Sequence, residues 1–131
     1  VLTNLGTIHA LVVFGEDGLD EITTTTSTLV SELYKGKIRN YKIDPQDLGF
    51  KKASQQELLE GDASLNAEIL LDCLNGKQGP QRDIVILNAA AAIYAADKVS
   101  CVEEGVELAE DSIDSKRALE KLKLLREYSN K

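Results

Sequence analysis

Between Ile84 and Ala96 the sequence reads IVILNAAAAIYAA, apolar almost all the way round a helix and interrupted by Asn88. Such a helix has no face to give to water, so other elements must enclose it. The run is shorter than the roughly 20 apolar residues that a membrane-spanning helix needs. It therefore predicts a central buried helix, opened by Gly79-Pro80 and running from about Gln81 to Ala96. A chain of 131 residues, 43% of them hydrophobic, is long enough to build one domain around it.

The enclosing elements can be read on both sides of this helix. Ala10 to Phe14 is a short apolar run stopped by Gly15, the pattern of a buried strand in an α/β sheet. Thr28 to Tyr34 and Ile38 to Ile43 read as two further strands, with Lys35-Gly36-Lys37 as their hairpin connection. Asp44-Pro45 ends the second of these, and residues 46–61 are irregular, with a helical turn at Gln55–Leu59. Asp62 caps a helix reaching Leu74, with Leu65, Ile69, Leu70, Cys73 and Leu74 on its inner face. Ser100 and Glu103 form a capping box for another helix, with Val102, Val106, Ala109 and Ile113 in step. Asp114 or Ser115 caps a last helix that turns Ala118, Leu122 and Leu125 inward. The fold class is α/β: one buried strand plus a hairpin, followed by several helices, with no linker dividing residues 1–131.

Charge and composition exclude several roles. The net charge of -7 opposes a phosphate backbone, and Lys35, Lys37, Arg39 and Lys42 gather around a hairpin turn, so no nucleic-acid partner is expected. Cys73 and Cys101 have no Cys or His at zinc-ligand spacing, and a disulfide is not expected between them. Residues 1–14 lack a basic start and a cleavage site, which with the short apolar runs predicts a soluble cytoplasmic protein without a membrane partner. The sequence has no methionine, which fits a chain that starts inside a longer one.

The candidate chemistry lies in Glu16-Asp17-Gly18-Leu19-Asp20-Glu21. The loop comes directly after the first strand, and ligands of open α/β sheets collect at strand carboxyl ends. Crowded carboxylates repel one another unless a cation or a basic partner intervenes. Magnesium needs only one or two carboxylates when a substrate phosphate supplies further oxygens. On spacing alone a solvated acidic turn is the favoured reading of the loop over a ligand site. Elsewhere, Asn88 reads as a satisfied structural polar group, Arg82-Asp83 as a local ion pair or cap, and Thr23 to Thr28 as β-propensity. His9, the one histidine, reads as a partly exposed residue before a strand with no nucleophilic triad.

The string VVFGEDGLDEITTTTSTL, Val12 to Leu29, resembles the signature of anthranilate phosphoribosyltransferases. The similarity continues through Tyr41 to Gly49, Gly61-Asp62, Asn66-Ala67, Leu74-Asn75-Gly76, Gly79-Pro80, Arg82 to Ala90, Glu104-Gly105 and Ala109, in the family's order. The resemblance implies the C-terminal part of a nucleoside phosphorylase/phosphoribosyltransferase-type α/β catalytic domain. It implies transfer of the phosphoribosyl group of phosphoribosyl pyrophosphate to anthranilate, in tryptophan biosynthesis. It also implies magnesium as cofactor, Asp20 and Glu21 as its ligands, and a homodimer when the enzyme is full length.

Two departures stand out. Phe14 occupies a position where many members have histidine. The family's glycine-rich pyrophosphate loop and its Lys-His-Gly-Asn-type segment, both N-terminal to the part matched, are not in this sequence, so residues 1–131 alone are expected to be inactive. A pyrimidine nucleoside phosphorylase-like enzyme and a non-catalytic nucleic-acid-binding relative share the architecture. The Asp20-Glu21 pair disfavours both, and the net charge of -7 also opposes the second.

Overall fold

The computed structural model describes residues 1–58 and 61–130. Three strands, β1 (His9–Gly15), β2 (Thr28–Tyr34) and β3 (Lys37–Ile43), are followed by four helices. These are α1 (Ala63–Leu74), α2 (Pro80–Ala95), α3 (Val102–Asp114) and α4 (Arg117–Ser129). The sheet is antiparallel in the order β1-β2-β3. Lys35 and Gly36, both at positive φ, close a two-residue turn between β2 and β3, the geometry that matches strand twist. Leu59, the last residue of the helical turn read at Gln55–Leu59, lies outside the described residues, and a 3-10 turn occupies Gln55–Leu58.

Alternation along the strands divides the sheet into two faces. Leu11, Val13, Val30, Tyr41 and Ile43 face α2, where Leu87 and Ala91 meet them together with Ile22. On its opposite side α2 packs Ile86 against Ala109 and Ile113 of α3. The layers are therefore sheet, α2, α3, and the central position of α2 follows from its nearly all-round apolar sequence. Full burial of Ile86 and Leu87 contributes about 1.5–3 kcal/mol each. Contact between α2 and α3 is close because Gly105 has no side chain. A Cβ there would stand 2.5 Å from the Ala90 carbonyl oxygen.

Several sequence expectations are corrected at the level of packing. β1 is covered on one face only: Val12 and Phe14 project from the other, beside Leu29 of β2 and near Ile38 of β3, and all four are exposed. On α1 only Cys73 is buried, and Leu65 and Leu70 are exposed although the helical period puts them on the expected inner face. The cap of α1 is as read, since Asp62 Oδ1 accepts from the Leu65 amide at 2.9 Å. At α3 the glutamate that bonds Ser100 is Glu104, not Glu103, because the helix begins at Val102 with Cys101 as its N-cap. At α4 the N-cap is Lys116 in a left-handed conformation, not Asp114 or Ser115. Its expected inner residue Leu125 is exposed, since the last turns of α4 extend beyond the other helices' cover. Among the described residues no helix is long and apolar enough to cross a membrane.

Candidate functional site

The acidic loop begins where β1 ends. Gly15 donates its amide to the Leu19 carbonyl at 2.9 Å, and Gly18, at φ 98°, donates to the Gly15 carbonyl at 2.9 Å. A Cβ on Gly15 would fall against the Asp17 carboxylate and 3.1 Å from Thr23 Cγ2. Both glycines are thus required by the fold of the turn, one by space and the other by backbone angle.

The four carboxylates have different surroundings. Asp17 turns inward: it accepts from Thr23 Oγ1 at 2.6 Å, from the Leu19 amide at 3.2 Å, and through a short bond from Thr25 Oγ1. Partial burial alone would raise its pKa, but the bonds from Thr23, Thr25 and Leu19 outweigh it and hold the carboxyl below its ordinary value. Glu16 is paired with Lys42 at 2.6 Å on the surface. Asp20 and Glu21 are exposed side by side at the end of the loop.

The segment immediately after the pair is firmly anchored. Ile22 is fully buried against Val30, Ile43, Leu87 and Ala91. Asn88 of α2 bonds its backbone twice: Asn88 Oδ1 accepts from the Ile22 amide at 2.9 Å, and Nδ2 donates to the Ile22 carbonyl at 2.8 Å. Nδ2 also donates to the Ile84 carbonyl at 3.0 Å, which satisfies the amide within its own helix. Thr23, Thr24 and Thr28 are buried, and Thr28 Oγ1 accepts from the Thr23 amide at 3.0 Å. The threonine run before Thr28 is therefore a hydroxyl-bonded loop, not an extension of the strand as its β-propensity suggested. A cleft of about 730 Å³ is lined by Glu21 of the pair, but not by Asp20, together with Asp17, Leu19, Asn66, Ile84 and Val85.

A second polar cluster lies at the far end of β1. His9 as a residue is partly exposed, but its side chain is buried: Nδ1 meets Asp97 Oδ1 at 2.7 Å, and Nε2 lies 3.4 Å from Glu32 Oε1 without hydrogen-bond geometry. Its ring packs edge-on against Tyr34 and Tyr94. Glu32, also buried, accepts from Tyr94 Oη at 2.9 Å and Arg39 Nη2 at 3.0 Å. Burial would raise the Glu32 pKa, but the Tyr94 and Tyr41 hydroxyls and Arg39 outweigh it and lower it. Burial chiefly, with the Glu32 charge, pushes both tyrosines up. These contacts make a polar network centred on the buried His9 and Glu32 side chains, with Arg39 and Asp97 reaching solvent. Arg82 reaches across to Asp114 of α3 at 2.9 Å, so its ion pair joins two helices instead of closing locally on Asp83.

Among the described residues, no three His, Cys, Asp or Glu side chains gather to hold a metal ion. The Asp20-Glu21 pair offers two carboxylates at most. The ties of Asp17 to Thr23 and Thr25 and the Ile22 partner of Asn88 were not assigned from sequence, although Asn88 does prove to be the satisfied structural polar group that was read. An aspartate followed by hydroxyl residues six and eight positions later was the available signal for the first, and a lone amide in an apolar helix for the second.

Residues 1–119 match the family described as glycosyl transferase family, a/b domain. The chain is 52% identical over 121 residues to the anthranilate phosphoribosyltransferase of Clostridium beijerinckii, covering 92% of this chain and 36% of that protein. The crystal structure of anthranilate phosphoribosyltransferase from Thermus thermophilus superposes with a TM-score of 0.80 at 37% identity, covering 90% of this chain and 34% of that one. The Saccharomyces cerevisiae enzyme in complex with PRPP and Mg superposes with a TM-score of 0.80 at 26% identity, covering 88% of this chain and 33% of that one. The chain thus spans little more than a third of the length of the curated relatives it matches, 36% in the first case.

Proposed function

The chain belongs to the glycosyl transferase family through its a/b domain, and from that premise we propose that it serves an anthranilate phosphoribosyltransferase as the C-terminal part of the catalytic α/β domain. The reaction is transfer of a phosphoribosyl group from phosphoribosyl pyrophosphate to the amino group of anthranilate. The observation that carries the reading is the exposed Asp20-Glu21 pair on a braced loop, within a chain 52% identical to an enzyme of that name.

The donor set fits magnesium. Two exposed carboxylates leave room for the waters that magnesium retains and for phosphate oxygens from the substrate. Asp20 and Glu21 would hold the ion. When bound, it would supply positive charge to the departing pyrophosphate. Asp17 contributes by fixing the turn, because its carboxylate is already committed to Thr23, Thr25 and the Leu19 amide. The nucleophile is a weakly basic aryl amine, so positioning and leaving-group stabilisation dominate over general-base strength. No residue of this chain is assigned as a catalytic acid or base. Cytoplasmic location and assembly as a homodimer belong to the same proposal.

The test is formation of N-(5-phosphoribosyl)anthranilate from phosphoribosyl pyrophosphate, anthranilate and magnesium, followed by chromatography. The complete polypeptide in which these residues are encoded should form it, and residues 1–131 alone should not. No product from the complete polypeptide would overturn the activity. Turnover by residues 1–131 alone would overturn the assignment of this chain as part of a site.

A further inference from the structure

We propose that Asn88 is a positioning residue for the Asp20-Glu21 pair, acting through the backbone of Ile22. The inference rests on the assignment of magnesium to that pair and deepens it. The Asn88 carboxamide uses one oxygen and one nitrogen on both polar backbone groups of a single residue, Ile22, at 2.9 and 2.8 Å. Ile22 directly succeeds Glu21, so the bond to the Ile22 amide holds the Glu21–Ile22 peptide on which the pair ends, and the bond to the Ile22 carbonyl holds the peptide that follows it.

The geometry is more specific than satisfaction of a buried amide requires. Asn88 also donates to the Ile84 carbonyl one helical turn back, which occupies one of its two N–H groups; the other N–H and the carbonyl oxygen both go to Ile22. Sixty-six positions separate Asn88 from Ile22, so the clamp ties the loop to the central helix and not to a neighbouring turn. Along α2, Leu87 and Ala91 flank the clamp and pack against Ile22 itself. The opposite side of the loop is held by Asp17 with Thr23 and Thr25. Asp20 and Glu21 therefore stand between two anchors. Each anchor bonds groups adjacent to the pair and leaves the two carboxylates exposed. Partners hydrogen-bonded directly to metal ligands are worth about 10- to 100-fold in metal affinity, and Asn88, which acts through the backbone next to the pair, belongs at the lower end of that range.

The experiment uses the complete encoded polypeptide and manganese(II) as a spectroscopic substitute for magnesium, with inorganic pyrophosphate present. Manganese affinity is read by electron paramagnetic resonance for the parent, Asn88→Ala, and the isosteric Asn88→Asp should the alanine variant fail to fold. Hydrogen exchange of the Ile22 amide and the unfolding midpoint are measured alongside. Ile86→Ala, which destabilises the same helix on the side facing α3, serves as control. The expected result is manganese affinity weaker by about tenfold or more in the Asn88 variant, faster exchange at Ile22, and unchanged manganese affinity in Ile86→Ala. Unchanged affinity in the Asn88 variant, whatever its midpoint, would overturn the proposal and leave Asn88 a packing group. A parent that binds no manganese with pyrophosphate would instead overturn the metal assignment to Asp20 and Glu21, and the inference with it.

Discussion

Replacing Gly105 by alanine sets two effects of known size against each other. In an exposed helix the change stabilises by about 1 kcal/mol, because glycine has the larger backbone entropy to lose. Here the added Cβ would lie 2.5 Å from the Ala90 carbonyl oxygen and 3.1 Å from the Ala90 Cα. Ordinary contact needs roughly 3.5 Å, so α3 would have to retreat from α2 by most of an ångström. Both colliding partners belong to the backbone, so no side chain can turn aside. Overpacking of this kind costs about 1–3 kcal/mol, and the backbone clash places it at the upper end. The net effect is destabilisation by about 1–2 kcal/mol, a fall in Tm of about 3–10 °C for a chain of this length. Thermal and urea unfolding followed by circular dichroism measure it, with Glu107→Ala on the exposed face of α3 as a control expected to change stability by less than about 0.5 kcal/mol. A Gly105→Ala variant as stable as the parent, or more so, would refute the close α2–α3 approach. It would also loosen the support of Asn88, since that helix carries it.

Three further outcomes are expected of the same structure. Asp17→Ala leaves the buried Thr23 hydroxyl without its acceptor and should destabilise by about 1–3 kcal/mol in urea unfolding; a change within error would remove the brace from the loop. Both Asp17 and Glu32 have lowered carboxyl pKa values, so their stabilisation is present above their ordinary values of 3.8 and 4.5 and is lost as pH falls through the lowered ones. Acid unfolding of residues 1–131 should accordingly steepen below about pH 4.5, and Glu32→Gln should flatten that limb; an unchanged acid limb would count against the Tyr94–Glu32–Arg39 network. Residues 1–131 alone should self-associate through exposed Val12, Phe14, Leu65 and Leu70, and Phe14→Lys with Leu70→Lys should shift sedimentation toward monomer; monomer in the parent at high concentration would contradict this.

What could be read from the sequence was local. The hairpin of β2 and β3, the Asp62 cap and the opening of α2 at Gly79-Pro80 depend on residues within a few positions of one another, and the structure has them. Periodicity identified Leu65, Leu70 and Leu125 as apolar helix positions but carries no information on whether another element covers them, and here all three are exposed. The capping glutamate of α3 moved from Glu103 to Glu104 because a one-residue shift of the helix start changes which side chain can reach Ser100. At the site, the acidic loop was legible from crowding, and the choice of Asp20 and Glu21 within it came from family resemblance alone. The division of labour among four carboxylates was not legible. It depends on Thr23 and Thr25 folding back on Asp17 and on Lys42 coming across from β3 to Glu16. The buried partners of the His9 ring were not legible for the same reason, since Asp97 lies 88 positions away.

On the proposed function, Asp20 and Glu21 would hold the magnesium used in phosphoribosyl transfer. The direct measurement is the magnesium concentration giving half-maximal rate for the complete encoded polypeptide, compared with Asp20→Asn and Glu21→Gln. An increase of about tenfold or more is expected in each variant, with KM for anthranilate little changed, because the lost ligand would act on the pyrophosphate end of the reaction. A half-saturating magnesium concentration equal to that of the parent in both variants would contradict it.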